Sequence, residues 1–146
     1  MKLLRVHDIM NPETDTVQAN RKVAEFLSSV VMHDTVPVVD EREHVIGVLY
    51  RRDLLNADGA ATAASLAHTD YPLAYTDEVV HDVAVRFLHG GYEACPVIDR
   101  ATGELAGMLT AYDVLKAKNW EIMQENPEPS HLSGVSLLRF PGTKRA

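Results

Sequence analysis

Apolar positions fall at helical spacing in two stretches of the chain and in short unbroken runs in four others. Val23, Phe26, Leu27, Val30 and Val31 follow the i, i+3, i+4, i+7 spacing of one helix face. Val79, Val83, Phe87 and Leu88 trace a similar stripe further on, and Gly90-Gly91 supplies a stop for that segment. Behind each stretch lies a short apolar run (residues 36–39 and 94–98), then a polar turn, then a second apolar run (residues 45–49 and 105–109). The turns Asp40-Glu41-Arg42-Glu43-His44 and Asp99-Arg100-Ala101-Thr102-Gly103-Glu104 have the composition of hairpin connections. A closing helix is expected from near Arg51 and again from near Ala111. Ahead of each helix, Met10-Asn11-Pro12 and Asp70-Tyr71-Pro72 carry a proline, which has no backbone N–H and disfavours helix before it, so both read as extended. The pattern is β-α-β-β-α, twice, in an α/β (α+β) chain.

The two halves also match residue by residue. At an offset of 60, Pro12 meets Pro72, Thr16 meets Thr76, and Val23-Ala24 meets Val83-Ala84. Gly47, Leu49, Asp53, Leu55 and Ala57 meet Gly107, Leu109, Asp113, Leu115 and Ala117 at the same offset. Between these, Pro37-Val38-Val39-Asp40 meets Pro96-Val97-Ile98-Asp99 at 59, one residue being lost and then regained in a turn. A unit of about 55 residues buries little apolar surface by itself, so the two copies are expected to pack sheet against sheet. Residues 1–58 are read as the first repeat and 66–125 as the second. Residues 59–65 fall in a run of small residues that suits a linker. Residues 126–146 have no counterpart in the first copy; they are either a mobile end or an arm that docks on another subunit.

Composition narrows the function. The 146 residues are 46% hydrophobic and 24% charged, as in ordinary globular proteins. The net charge of −7 is wrong for a nucleic-acid surface, which needs basic groups to displace counterions. No apolar stretch approaches the roughly 18 residues of a membrane span, and the start is too soon charged for a secretory signal. Cys95 is the only cysteine, which rules out an intramolecular disulfide and suits a cytoplasmic location. The seven histidines are scattered without ligand spacing, so neither a metal nor a cofactor is expected. No nucleophile–base signature or phosphate-binding loop is present, and no enzymatic activity is expected.

The doubled order of Pro37-Val38-Val39-Asp40 with Gly47 through Asp53, and Pro96-Val97-Ile98-Asp99 with Gly107 through Asp113, resembles the CBS-domain family. Asp8-Ile9-Met10-Asn11-Pro12 is similar to the family's opening segment, and the resemblance covers about residues 6–120. It implies a pseudo-two-fold CBS pair with two clefts between the repeats, able to hold AMP, ADP, ATP or S-adenosylmethionine. In that family a hydroxyl residue lies near the phosphate and a carboxylate takes the ribose hydroxyls. The matching residues are Thr110 and Asp113 in the second copy. The first copy keeps Asp53 but has Tyr50 at the hydroxyl position.

These residues also carry physical arguments of their own. Thr110 at a helix start would offer unpaired N–H groups and a dipole that favours an anion. Asp113 can accept two hydrogen bonds from a vicinal diol. The same Thr-x-x-Asp spacing also describes a capping box, so both roles stay open. Val36 and Cys95, each just before a proline (Pro37 and Pro96), are expected to floor the clefts beneath an adenine ring, or else to be plain core strand. Asp34-Thr35 and Glu93-Ala94 stand where basic residues would clamp phosphates, which points to a short phosphate chain or a ligand of little negative charge. Arg51, Arg52 and Arg86 are partial substitutes or solvated surface.

The expected function is a regulatory adenosyl-ligand sensor, a homodimer acting on an enzyme or transporter. The alternative is a dimerisation or docking module whose clefts stay empty.

Overall fold

The computed structural model describes residues 3–125; the segment 126–146 lies outside the described residues. The elements run α1 (Val6–Ile9), β1 (Val17–Gln18), α2 (Val23–Val30), β2 (Thr35–Val39), β3 (Val45–Tyr50) and α3 (Arg51–Leu55). They continue with α4 (Ala63–Leu66), β4 (Ala74–Tyr75), α5 (Val80–Gly90), β5 (Ala94–Ile98), β6 (Leu105–Thr110) and α6 (Ala111–Glu125). Two three-stranded sheets result, ordered β1-β2-β3 and β4-β5-β6, each with one parallel and one antiparallel pairing.

Alternation along the strands divides the burial. Val36, Val38 and Leu49 enter a first core with Phe26 and Val30 of α2, and Cys95, Val97 and Leu109 enter a second with Val83 and Phe87 of α5. The opposite faces, with Val39, Val48, Ile98 and Met108, are buried as well, and the sheets adjoin through β2 and β5. Each fully buried Val or Leu contributes about 1.5–3 kcal/mol, so two small cores and the layer between them hold the chain without a disulfide. The turn carboxylates shape the hairpins: Asp40 Oδ1 accepts from the N–H groups of Arg42 (2.8 Å) and His44 (3.0 Å), and Asp99 Oδ1 from Ala101 N–H (2.8 Å).

The helix stripes are phased differently from the expectation in the second copy. Val79 caps α5 at its N-terminus and Leu88 is 80% exposed, while Val80, Val83 and Phe87 are buried. These match Val23, Phe26 and Val30 of α2 at an offset of 57, and Val17-Gln18 matches Ala74-Tyr75 at the same offset. The offset of 60 therefore holds only from β3 onward, and the pairing of Val23-Ala24 with Val83-Ala84 is a coincidence of residue type. The physical reason is that α5 has 11 residues and α2 has 8, the extra turn ending at Gly91 in a left-handed conformation (φ 65°). The connection to β5 is one residue shorter, giving 59, and the following hairpin turn is one longer, giving 60.

The leading segments are exchanged between the copies. Val6 is fully buried in the second core, where its N–H donates to Glu78 O (2.9 Å), and Val80 N–H donates to Leu4 O (3.0 Å). Reciprocally, Ala63 of α4 is fully buried in the first core, with its N–H on Arg21 O (2.8 Å) and Val23 N–H on Ala61 O (2.9 Å). Residues 4–12 thus complete the second copy. Ala61 and Ala63, within the stretch read as a linker, complete the first.

Candidate ligand site

Two clefts open between the copies, and the starts of β2 and β5 (Asp34-Thr35 and Glu93-Ala94) line both. One, of about 640 Å³, is bounded further by Tyr50, Arg51, Arg52, Leu55 and the run Asp70-Tyr71-Pro72. The other, of about 850 Å³, is bounded by Asn11 through Asp15, Met32, His33, Met108, Thr110, Tyr112 and Asp113. They are called here the Tyr50 cleft and the Thr110 cleft.

In the Thr110 cleft, β6 ends at Thr110 and α6 begins at Ala111, which puts both predicted residues on the first turn of a helix. Thr110 N–H donates to Asp113 Oδ2 (3.0 Å) and Asp113 N–H donates to Thr110 Oγ1 (3.1 Å). The capping box is therefore real. It does not exhaust either group: the Thr110 hydroxyl retains its proton as a donor, and Asp113 Oδ1 has no protein partner among the described residues.

In the Tyr50 cleft the corresponding turn is built differently. Asp53 Oδ2 accepts from Tyr50 N–H (2.9 Å) and also lies 2.9 Å from His68 Nε2. The Tyr50 ring packs against the His68 imidazole (centroids 4.9 Å apart, tilted by 55°), and the Arg52 guanidinium sits 4.6 Å from the Tyr50 centroid. Tyr50 lines the cleft and Asp53 does not.

Val36, Pro37, Cys95 and Pro96, expected on the cleft floors, line neither cleft and are buried. The strand alternation sends Val36 and Cys95 into the two cores, and Thr35 and Ala94 at the strand starts face the openings instead. Burial pushes the Cys95 thiol up to about 12, so it is not a nucleophile. Sequence reasoning passed over His68 and Asn11. Both pair with the second strand of a hairpin, Val48 and Met108 respectively, and the offset of 57 between them would have marked them as equivalent.

The charge of the two clefts differs. Glu13, Asp15, Asp34, Glu93 and Asp113 line the Thr110 cleft with no Lys or Arg among them; His33 Nε2 sits 2.7 Å from Asp15 Oδ2. Arg51 and Arg52 line the Tyr50 cleft, where Arg51 pairs with Asp34 (2.7 Å). Arg86 lines neither, because Glu78 holds it through two bonds of 2.6 and 3.1 Å. Among the described residues no group of His, Cys, Asp and Glu is arranged to hold a metal ion.

Two tandem copies, two clefts and a Thr-x-x-Asp turn at one of them find their match in the CBS domain, whose family model covers residues 6–60 and 63–119. The chain belongs to the CBS-domain family. No curated protein matches it. Among solved structures, this CBS pair superposes on the CBS domains of a transcriptional regulator from Streptococcus pneumoniae at a TM-score of 0.71, with 22% identity over 79% of this chain and 99% of that one. The cytosolic domain of the Mg2+ channel MgtE in complex with ATP gives 0.71 and 28% identity. That match covers 77% of this chain and 48% of the other, so the CBS pair spans about half the length of that relative. The CBS domain pair of protein MJ0100, in complex with 5-methylthioadenosine and S-adenosyl-L-methionine, gives 0.68 with 22% identity over 82% and 99% of the two chains. No helix among the described residues is long and apolar enough to cross a membrane.

Proposed function

We propose that this CBS pair is a regulatory sensor, without catalytic activity, that binds an adenine nucleotide or adenosyl compound in the Thr110 cleft and thereby modulates a partner protein. The observation that carries the reading is that Thr110 and Asp113 line one cleft together, with a hydroxyl proton and a carboxylate oxygen still available. A diol-bearing ribose meets Asp113 Oδ1, and a polar substituent on C5′ meets the Thr110 hydroxyl and the α6 N-terminus. The adenosyl and ATP complexes of its structural relatives support this ligand class.

The lining also sets the ligand's charge. Of the five lining carboxylates only Asp34 has an arginine partner, Arg51, and the net negative lining repels a phosphate chain, so the reading favours a short chain or a ligand of little negative charge. Binding acts by population shift: a ligand held between the copies favours the arrangement in which both sides of the cleft reach it, and the partner reads that arrangement. The partner is an enzyme or transporter, in the cytoplasm. Homodimerisation belongs to the same reading, since Leu55 on α3 and the matching Leu115 on α6 stay 66% and 68% exposed.

Calorimetric titration of the full chain with AMP, ADP, ATP and S-adenosylmethionine, repeated on Asp113→Ala, tests the reading. Saturable binding lost in the variant is the expected result. No heat with any of the four would favour a docking module whose clefts stay empty, the reading to which the closed Thr110–Asp113 box otherwise lends weight.

A further inference from the structure

We propose that the Tyr50 cleft is closed to an adenosyl ligand by the chain's own side chains, so that each chain takes one such ligand and His68 decides the asymmetry. The inference rests on the reading of the Thr110 cleft given above. It starts from four pairs of matching positions: Asn11 and His68, Met108 and Val48, Thr110 and Tyr50, Asp113 and Asp53. The first two pairs are matched by backbone bridges, Asn11 to Met108 and His68 to Val48. The other two are matched by their place in the turn from the third strand into its helix.

In the Thr110 cleft all four residues line the cavity. In the Tyr50 cleft only Tyr50 does; Val48, Asp53 and His68 are withdrawn from it. The cause is visible in the contacts. The Tyr50 ring lies against the His68 imidazole, and Arg52 sits over that ring, so three side chains stack on the carboxylate's turn. Behind them, Asp53 Oδ2 already holds Tyr50 N–H and His68 Nε2, each at 2.9 Å. Asp53 Oδ1, like Asp113 Oδ1, has no protein partner among the described residues. But Asp53, held by His68 on its other oxygen, does not line its cleft, so the carboxylate that a ribose diol would need is not presented there.

Nothing comparable happens at Asn11. Its Oδ1 accepts from Glu13 N–H (3.0 Å) and leaves Asp113 alone. The phenol of Tyr50 adds bulk at the position where Thr110 offers a small hydroxyl. The difference between a site and a closed turn therefore comes down to His68 and Tyr50 in place of Asn11 and Thr110. His68 here is a specificity residue: it acts on Asp53 and touches no ligand.

The test is stoichiometry. Titrating the full chain with S-adenosylmethionine and, separately, with AMP is expected to give one equivalent per chain. Asp53→Ala is expected to keep that stoichiometry and an affinity within twofold, whereas Asp113→Ala weakens binding at least tenfold. The double variant Tyr50→Thr, His68→Asn is expected to take two equivalents. As a readout that a purely structural role would not move, the imidazole NMR signals of His68 should stay in place as the wild-type protein saturates. Two equivalents in the wild type would overturn the proposal, as would a shift of the His68 signals on binding or a double variant that stays at one. No binding by the wild type, with one equivalent gained by the double variant, would overturn the reading of the Thr110 cleft but leave the closure of the other standing. No binding by either protein would overturn both.

Discussion

Asn11 and Met108 face each other across a two-bond antiparallel bridge, each backbone N–H donating to the other's carbonyl at 2.9 Å. The bridge explains why Gly107 is a glycine. A Cβ built there would lie 2.4 Å from Asn11 O, 3.1 Å from Asn11 C and 3.1 Å from the Pro12 Cα, all backbone atoms that cannot swing aside. Gly47 meets the same limit against His68 O and Ala67 Cβ, both at 2.8 Å. The glycine shared by the two copies is thus a close-approach position for an exchanged leading segment. Gly107→Val should destabilise the fold by about 1–3 kcal/mol, read as a lower urea midpoint. An unchanged midpoint would mean that the segment does not pack as described.

The exchange predicts where damage at the N-terminus appears. Val6→Ala removes two buried methyl groups from the second core, a loss of about 2 kcal/mol. Hydrogen exchange should quicken in β5 and β6 more than in β2 and β3. The reverse order would show that the segment serves its own copy.

The acidic lining predicts how ligand charge can be retuned. Glu93→Lys turns a repelling group into an attracting one at the shared end of the clefts. The change is about 1–2 kcal/mol for a polyphosphate, roughly a five- to thirtyfold gain in ATP affinity at low salt. Raised ionic strength should shrink that gain. A gain that persists at high salt would point to contacts other than charge.

Acid sensitivity should trace in part to Glu78. Its partial burial opposes ionisation, but the Arg86 pair and the Tyr75 N–H outweigh it and hold the folded carboxyl below the ordinary 4.5. The lowered value means that this group stabilises the fold above its unfolded pKa and loses that contribution as pH falls through the folded one. Thermal unfolding followed from pH 7 down through the carboxylate range should therefore drop more steeply in the wild type than in Glu78→Gln. Parallel curves would remove Glu78 from the account.

Cys95 should be silent toward thiol reagents in the native protein. Its side chain is fully buried and burial pushes its thiol up to about 12. Labelling is expected only at the rate of unfolding, in step with added urea. Fast labelling in buffer would mean that the second core opens locally.

Much of this was legible in the residues because it is local. Apolar runs of strand length, polar turns with Asp40 and Asp99, and the glycine pair ending α5 each depend on near neighbours, and duplication stated the strands and the turns twice. The Thr110–Asp113 turn was legible for the same reason, since its capping box closes within one helical turn. Other features were not local. The true offset of 57 in the first half of each copy is hidden by chance identities at 60, and it emerges from the buried faces of α2 and α5, the pairing of β1 and β4, and the hydrogen bonds of Val6 and Ala63. Strand alternation alone does not say which face meets a core and which a cleft, so the residues leave Val36 and Cys95 open between cleft floor and core strand, and the structure puts both in the cores.

The sequence by itself determined a duplicated α/β unit and the short-range chemistry of each turn, because propensity, patterning and capping act over a few residues. The tertiary structure decided which copy each leading segment completes, and it brought His68 onto Asp53 across 15 positions of chain while leaving Asp113 open. Those outcomes turn on contacts between segments far apart in sequence, where packing and hydrogen-bond partners are chosen only once both sheets have formed.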